Sequence, residues 1–125
     1  MPPLFEEIDS QASVLGEISL CRRRIPVFGD RDIYEVKLGD EFLMSSMFVE
    51  AEEALSTLGL AAVQGDNLSV VVGGLGLGYT AVAALKDARI TELLVIDALD
   101  AVIGWHKNEL VPLGQILNAD TRNHY

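Results

Sequence analysis

Four of the eleven glycines fall in one run, Gly73-Gly74-Leu75-Gly76-Leu77-Gly78. Glycine lets the backbone turn sharply and lets a ligand come close to main-chain N–H groups, which at the start of a helix attract electron-rich or anionic atoms. Asp97 stands 21 residues after Gly76. An acid at the end of the next strand can accept both hydroxyls of a ribose, and its usual distance from such a loop is about 20 residues. The two features together predict a nucleoside-cofactor site. The plainer alternative is a β-α-β connection whose glycines serve only tight helix–strand packing.

Such a site needs two strands and a helix to position it, and the flanking residues supply them. Leu68-Ser69-Val70-Val71-Val72 is short, β-rich and nearly all apolar, the pattern of a parallel strand covered on both faces. After the glycines, Tyr79 to Lys86 reads as a helix of small residues able to pack closely on a sheet. The turn Asp87-Ala88-Arg89 follows, and Leu93-Leu94-Val95-Ile96 is a second buried strand ending at Asp97. Asp100 can cap a helix through Ala101, Val102, Ile103, Trp105 and His106 to Leu110. Pro112 stops or kinks it, and a further turn can run from Leu113 to Leu117. Residues 118–125 read as a loop leading toward a third strand.

The glycine spacing admits two cofactors. Gly76-Leu77-Gly78-Tyr79-Thr80-Ala81 satisfies the dinucleotide pattern with Ala in third place, which suits the NAD pyrophosphate. The overlapping Gly74-Leu75-Gly76-Leu77-Gly78 is the denser G-x-G-x-G arrangement. In the stretches Val70 to Thr80 and Leu94-Val95-Ile96-Asp97-Ala98-Leu99, with Ala101-Val102-Ile103 behind, the chain resembles the S-adenosylmethionine-dependent methyltransferase superfamily, specifically spermidine synthase-like proteins. Upstream, Val36 to Ser46 resembles the small N-terminal β-domain of that family, so the likeness covers most of residues 15–120. The resemblance implies that Gly74, Gly76 and Gly78 shape the loop around the amino-acid end of the cofactor and that Asp97 binds the ribose hydroxyls. The cofactor implied is S-adenosylmethionine or its decarboxylated form. This sequence departs from the family by having Leu75-Gly76-Leu77 where spermidine synthases usually carry Asp, and Asp97 where they usually have Glu.

The rest of the chain narrows the class. At 125 residues, 50% apolar and 22% charged, with mean hydropathy +0.29, it is sized and composed as one globular chain. Nine basic against nineteen acidic residues give a formal charge of −10, which argues against capture of nucleic acid or an anionic membrane. The surplus is uneven, net −7 over residues 1–60 and −3 over 61–125. No apolar run is long enough to span a bilayer, and the start of the chain lacks the basic and apolar stretches of a signal peptide, so a cytoplasmic location is expected. The lone Cys21 is then a free thiol.

Ahead of residue 67, a polar leader precedes a strand over Val14 to Cys21 that runs out to solvent at Arg22-Arg23-Arg24. Asp32 to Leu38 and Glu41 to Met44 make a hairpin, giving a three-stranded antiparallel meander. Ser45 or Ser46 can cap a helix whose apolar stripe is Met47, Phe48, Ala51, Ala54, Leu55 and Leu58, with Glu50, Glu52 and Glu53 largely opposite. The fold class is therefore α/β. A small β region spans 1–46, a helix and linker 47–66, and an incomplete Rossmann-like cofactor-binding region 67–125.

Several tempting residues read more simply. His106 beside Trp105 is expected to pack or face solvent rather than catalyse, and His124 has no role. The arginine run and the three glutamates read as solvated surface, although the glutamates could meet a polyamine. Two scattered histidines and one cysteine make no zinc constellation. The resemblance implies that the acid gripping the adenine follows a third strand, and the acid that deprotonates the attacking amine a fourth. Neither position is present, so the expectation is a truncated transferase fragment. It would be a homo-oligomer or depend on a partner chain that covers the open sheet edge, and a non-catalytic interaction subunit is the alternative.

Overall fold

The computed structural model describes residues 4–29 and 31–125. Its contacts divide the chain into two units, Met1–Phe48 and Val49–Tyr125.

The first unit is an antiparallel meander of four strands in chain order: β1 (Phe5–Ser13), β2 (Gly16–Arg24), β3 (Asp32–Leu38) and β4 (Glu41–Ser45). The polar leader is thus a full strand, one more than the sequence pattern suggests. It pairs along β2 from Phe5↔Arg23 to Ser13↔Gly16. The register explains the arginine run, which is not a solvated end. Arg22 lies opposite Glu6, 3.3 Å from its carboxylate and 3.3 Å from that of Asp32. Arg24 meets Asp32 at 3.0 Å and Arg23 meets Glu35 at 3.0 Å. Opposite charges on adjacent strands stabilise the pairing of β2 with β1 and β3. Ile18, Leu20, Ile33 and Val36 form the buried centre of this unit. Cys21 is a free, buried thiol, and burial pushes its pKa up, which keeps it protonated.

The second unit begins with helix α1 (Glu50–Ala61), later than the apolar stripe suggests. Neither serine caps it. Ser46 Oγ accepts the Tyr34 N–H at 2.8 Å and Ser45 Oγ the Met47 N–H at 3.1 Å, so both hold the end of β4. Glu50, Glu52 and Glu53 sit in the first turn, where the helix dipole favours acids. The expected apolar face is not the buried one: Leu55 and Leu58 are about 70% exposed, whereas Ser56 is buried. The reason is local. Ser56 Oγ donates to Thr80 O at 2.6 Å and Thr80 Oγ1 donates to Glu52 O at 3.1 Å, so α1 is joined to the next helix through small polar side chains.

Strand β5 (Leu68–Gly73), helix α2 (Tyr79–Leu85), strand β6 (Ile90–Ile96), helices α3 (Asp100–Lys107) and α4 (Gly114–Ala119), and strand β7 (Asn123–His124) complete the unit. The sheet is parallel with order β5-β6-β7, so the terminal loop does reach a short third strand. Val72, Leu93 and Val95 are buried with Trp105, Val102 and Leu117, and each such aliphatic side chain contributes about 1.5–3 kcal/mol. The alternate positions Val71, Leu94 and Ile96 are exposed. The strands are therefore covered on one face only, against the expectation from their continuous apolar character. That character belongs to strands with layers on both sides.

Two arginines fix the helix ends. Asp87 Oδ1 and Oδ2 accept hydrogen bonds from Arg89, which also donates to Leu60 O at 2.8 Å and Val63 O at 2.7 Å past the end of α1. Asp120 and Arg122 repeat the device before β7, with Arg122 donating to Leu85 O at 2.8 Å and Ile90 O at 3.1 Å. Each arginine thereby bonds a carbonyl in the last turn of a helix, Leu60 of α1 for Arg89 and Leu85 of α2 for Arg122. The hydrogen bonds from Arg89 hold the Asp87 carboxyl down at about 2, below its ordinary 3.8. A depressed folded value means that this contribution to stability is complete above about pH 4 and is lost as the pH falls toward 2. Asp87→Asn is expected to flatten the acid limb of the unfolding curve in that window, followed by circular dichroism. An unchanged limb would contradict the assignment.

Candidate functional site: a glycine loop closed by Asp97

β5 ends at Gly73, and the chain then turns through three left-handed glycines, Gly74, Gly76 and Gly78, with φ of 93°, 52° and 89°. An L side chain in that conformation costs about 1–2 kcal/mol, which is why the turn selects glycine. Gly74 N–H donates to Ile96 O at 2.7 Å, carrying the β5–β6 ladder one residue past the strand, and Gly78 N–H donates to Leu75 O at 2.9 Å. Leu75 and Leu77 point inward and are buried. The alternation of Gly and Leu thus anchors the loop from beneath while its glycine backbone makes the bends.

Asp97 follows β6 and closes the loop. Its Oδ2 accepts the Leu75 N–H at 2.8 Å and its Oδ1 accepts the Leu99 N–H at 2.8 Å. The half-buried carboxylate is held from both sides of the sheet's carboxyl end, and each oxygen keeps a further lone pair for a hydroxyl. The structure therefore brings the sequence-selected Asp97 and the glycine run into direct contact.

The glycines differ in what surrounds them. Gly73 and Gly74 are exposed, and a Cβ at either would have no heavy atom within 4 Å. Gly78 is buried, and a Cβ there would lie 2.9 Å from His106 Cε1 and 3.0 Å from Leu117 Cδ1. Gly73 and Gly74 therefore face open space, whereas Gly78 is spent on packing. Ala81, third in the dinucleotide pattern, is likewise buried.

His106 is the residue whose role the sequence did not reveal. It packs, as expected for its place in α3, and is fully buried, but its ring also reaches back to the loop, with Nε2 2.8 Å from Gly76 O. A carbonyl only accepts, so Nε2 carries the proton and Nδ1 is bare. Nδ1 has no hydrogen-bond partner. Burial pushes the imidazole pKa down, with the Gly76 bond and nearby Asp97 opposing it more weakly. The folded state thus favours neutral His106, and stability is lost as the pH falls below the unfolded value near 6.5. His106→Gln keeps an N–H donor without the titration, and is expected to flatten the stability curve between about pH 5 and 7 in urea unfolding. A curve as steep as that of the parent would contradict this.

The remaining candidates stand elsewhere. Glu50, Glu52 and Glu53 occupy the first turn of α1, Arg22 to Arg24 lie in the ion pairs of the meander, and His124 pairs in register with Leu94 at the sheet edge. Among the described residues no group of His, Cys, Asp and Glu is placed to hold a metal ion, and no helix is long and apolar enough to cross a membrane.

No protein-family model and no curated protein matches the sequence. Solved structures do share its fold. One is a spermidine synthase in complex with the transition state analogue AdoDATO, with a TM-score of 0.74 at 18% identity over 94% of this chain and 38% of that chain. Another is the spermidine synthase from Thermotoga maritima, with a TM-score of 0.71 at 16% identity, covering 94% and 39%. The chain has an antiparallel meander followed in sequence by a partial Rossmann-like α/β fold, and spans less than two-fifths of the length of these synthases.

Proposed function

We propose that this chain, which carries part of the fold of a spermidine synthase, binds an S-adenosylmethionine-type cofactor at the glycine loop. Asp97 holds the ribose hydroxyls, and Gly74, Gly76 and Gly78 shape the backbone beside the amino-acid end. The observation that supports this most is the Asp97 carboxylate, pinned by the Leu75 and Leu99 N–H groups at the rim of a loop whose outer glycines face open space. The donor set suits a nucleoside: an acceptor pair for a cis-diol and a bare backbone for a close approach. The buried Gly78 weighs against NAD, because the second glycine of the dinucleotide pattern must admit a pyrophosphate and this one meets His106 and Leu117.

The finer reading is decarboxylated S-adenosylmethionine with aminopropyl transfer to a polyamine, supported by two structural neighbours that are spermidine synthases. Methyl transfer from S-adenosylmethionine is the related reading. When bound, the cofactor supplies a carbon on a sulfonium, open to attack by a nucleophile. This chain's residues bind and align it. His106 takes no part in proton transfer, being buried behind Gly78 and committed to Gly76. Calorimetric titration of the chain with S-adenosylmethionine, its decarboxylated form and NAD tests the reading. Saturable binding of a sulfonium compound and none of NAD is expected, and no binding of either sulfonium compound would overturn it.

A further inference from the structure

His106 is fully buried, yet only one of its ring nitrogens has a partner. Buried polar atoms are bonded as a rule, so a half-used imidazole where an aliphatic side chain could stand calls for a reason. The reason lies in what Nε2 holds. Gly76 O, 2.8 Å away, belongs to the residue after Leu75, whose N–H is held by Asp97 at 2.8 Å. Two neighbouring residues of the loop are thus tied to two separate elements, Leu75 to the end of β6 and Gly76 to α3. The Gly76–Leu77 peptide is planar and trans, so fixing its carbonyl also fixes the Leu77 N–H. Gly76 has no side chain to hold that plane, and the hold comes from outside the loop.

The bare Nδ1 adds a second property. A Cβ built at Gly78 would lie 2.9 Å from the ring Cε1 and 3.7 Å from Nδ1, so the loop closes on the ring. A proton on Nδ1 would set a charged donor where no acceptor stands. The ring must then turn away or the loop must admit water, and either moves Gly76. The loop and α4 contain no charged residue. Lys107 reaches the Tyr125 ring, and Glu109 bonds the His106 carbonyl through its main-chain N–H. Asp97 is the charged group that acts on the imidazole, and it favours the proton less than burial opposes it. We infer that His106 is a positioning residue: through Gly76 it holds the glycine loop in the shape that receives a ligand, and it releases the loop when Nδ1 takes a proton. The effect on affinity rests on the nucleoside reading of the loop, and the hold on the loop does not.

The test uses the full chain, ¹⁵N-labelled, between pH 7.5 and 4.5. Ring ¹⁵N shifts are expected to show neutral His106 with its proton on Nε2 at pH 7.5. The amides of Gly76, Leu77 and Gly78 are expected to titrate with the midpoint of that ring. Affinity for S-adenosylmethionine, by calorimetry, is expected to fall about tenfold one pH unit below the midpoint, because only the neutral fraction holds the loop. His106→Gln keeps a donor for Gly76 O and cannot take the proton. It should bind within threefold of the parent at pH 7.5 and lose that part of the pH dependence, since every other titrating group is common to both chains. His106→Leu fills the space without a donor, and should shift the Leu77 amide and weaken binding at least tenfold. Where His106→Leu does not fold, the comparison with His106→Gln decides. A proton on Nδ1 at pH 7.5, loop amides indifferent to the ring's titration, or a His106→Gln chain with the parent's full pH dependence would each overturn the inference. Loop amides that follow the ring, with no binding of the cofactor at any pH, would support the hold on the loop and overturn the cofactor reading alone.

Discussion

Replacing Asp97 by Ala is expected to weaken binding of S-adenosylmethionine about 100-fold or more, measured by calorimetric titration. A hydrogen bond to a charged group is worth about 1.5–3 kcal/mol, and on the proposed reading the carboxylate accepts one from each ribose hydroxyl. Two such bonds come to about 3 kcal/mol or more, and each 1.4 kcal/mol is about a factor of ten. The substitution also removes the acceptors of the Leu75 and Leu99 N–H groups, so the loop loses its tie to the end of β6. Asp97→Asn separates the two losses poorly, because its amide nitrogen would face one of those N–H donors. Asp97→Ala should therefore be compared with Gly74→Ala, which leaves both ties in place. An affinity within threefold of the parent in Asp97→Ala would remove the carboxylate from the site.

Gly78→Ala is expected to destabilise the second unit by about 2–5 kcal/mol in urea unfolding. The left-handed φ of 89° accounts for about 1–2 kcal/mol. The new Cβ, at 2.9 Å from His106 and 3.0 Å from Leu117, adds about 1–3 kcal/mol of overpacking. Neither neighbour can swing away, since both are buried and His106 is bonded to Gly76. Gly74→Ala has a similar φ of 93° but open space, so only the backbone cost applies. It should lose the cofactor more than it loses stability. Equal destabilisation by the two substitutions would show that Gly78 is not in the packed position described. Against total stabilities of about 5–15 kcal/mol, an effect of this size is easily measured.

The parts of the molecule legible in the sequence are those governed by short-range pattern. The glycine run, the strands that flank it and the acid after the second strand are all set by local periodicity and spacing, and they meet in space as Leu75 and Asp97. What escaped depends on partners distant in the chain. β1 reads as a polar leader because its stabilisation comes from pairing with β2, including Glu6 against Arg22. The arginines read as solvated because each carboxylate partner lies on another strand. The α1 stripe is real in sequence yet exposed, because the helix is seated through Ser56, while Leu55 lines a groove at the open sheet edge and Leu58 faces solvent. His106 touches Gly76 thirty residues away, and no local signal marks that contact. The spacing Asp-x-Arg, present at Asp87/Arg89 and again at Asp120/Arg122, was a usable signal for the two helix-end clamps.

On the proposed reading, a nucleoside cofactor sits over Gly73 and Gly74 with its ribose on Asp97. The most direct measurement is a ¹⁵N amide-shift titration of the full chain with S-adenosylmethionine. Saturable shifts concentrated at Gly73, Gly74, Leu75, Asp97, Ala98 and Leu99, absent in Asp97→Ala, are the expected result. Shifts confined to other parts of the chain, or none at millimolar cofactor, would contradict it and leave the loop as a packing device between β5 and α2.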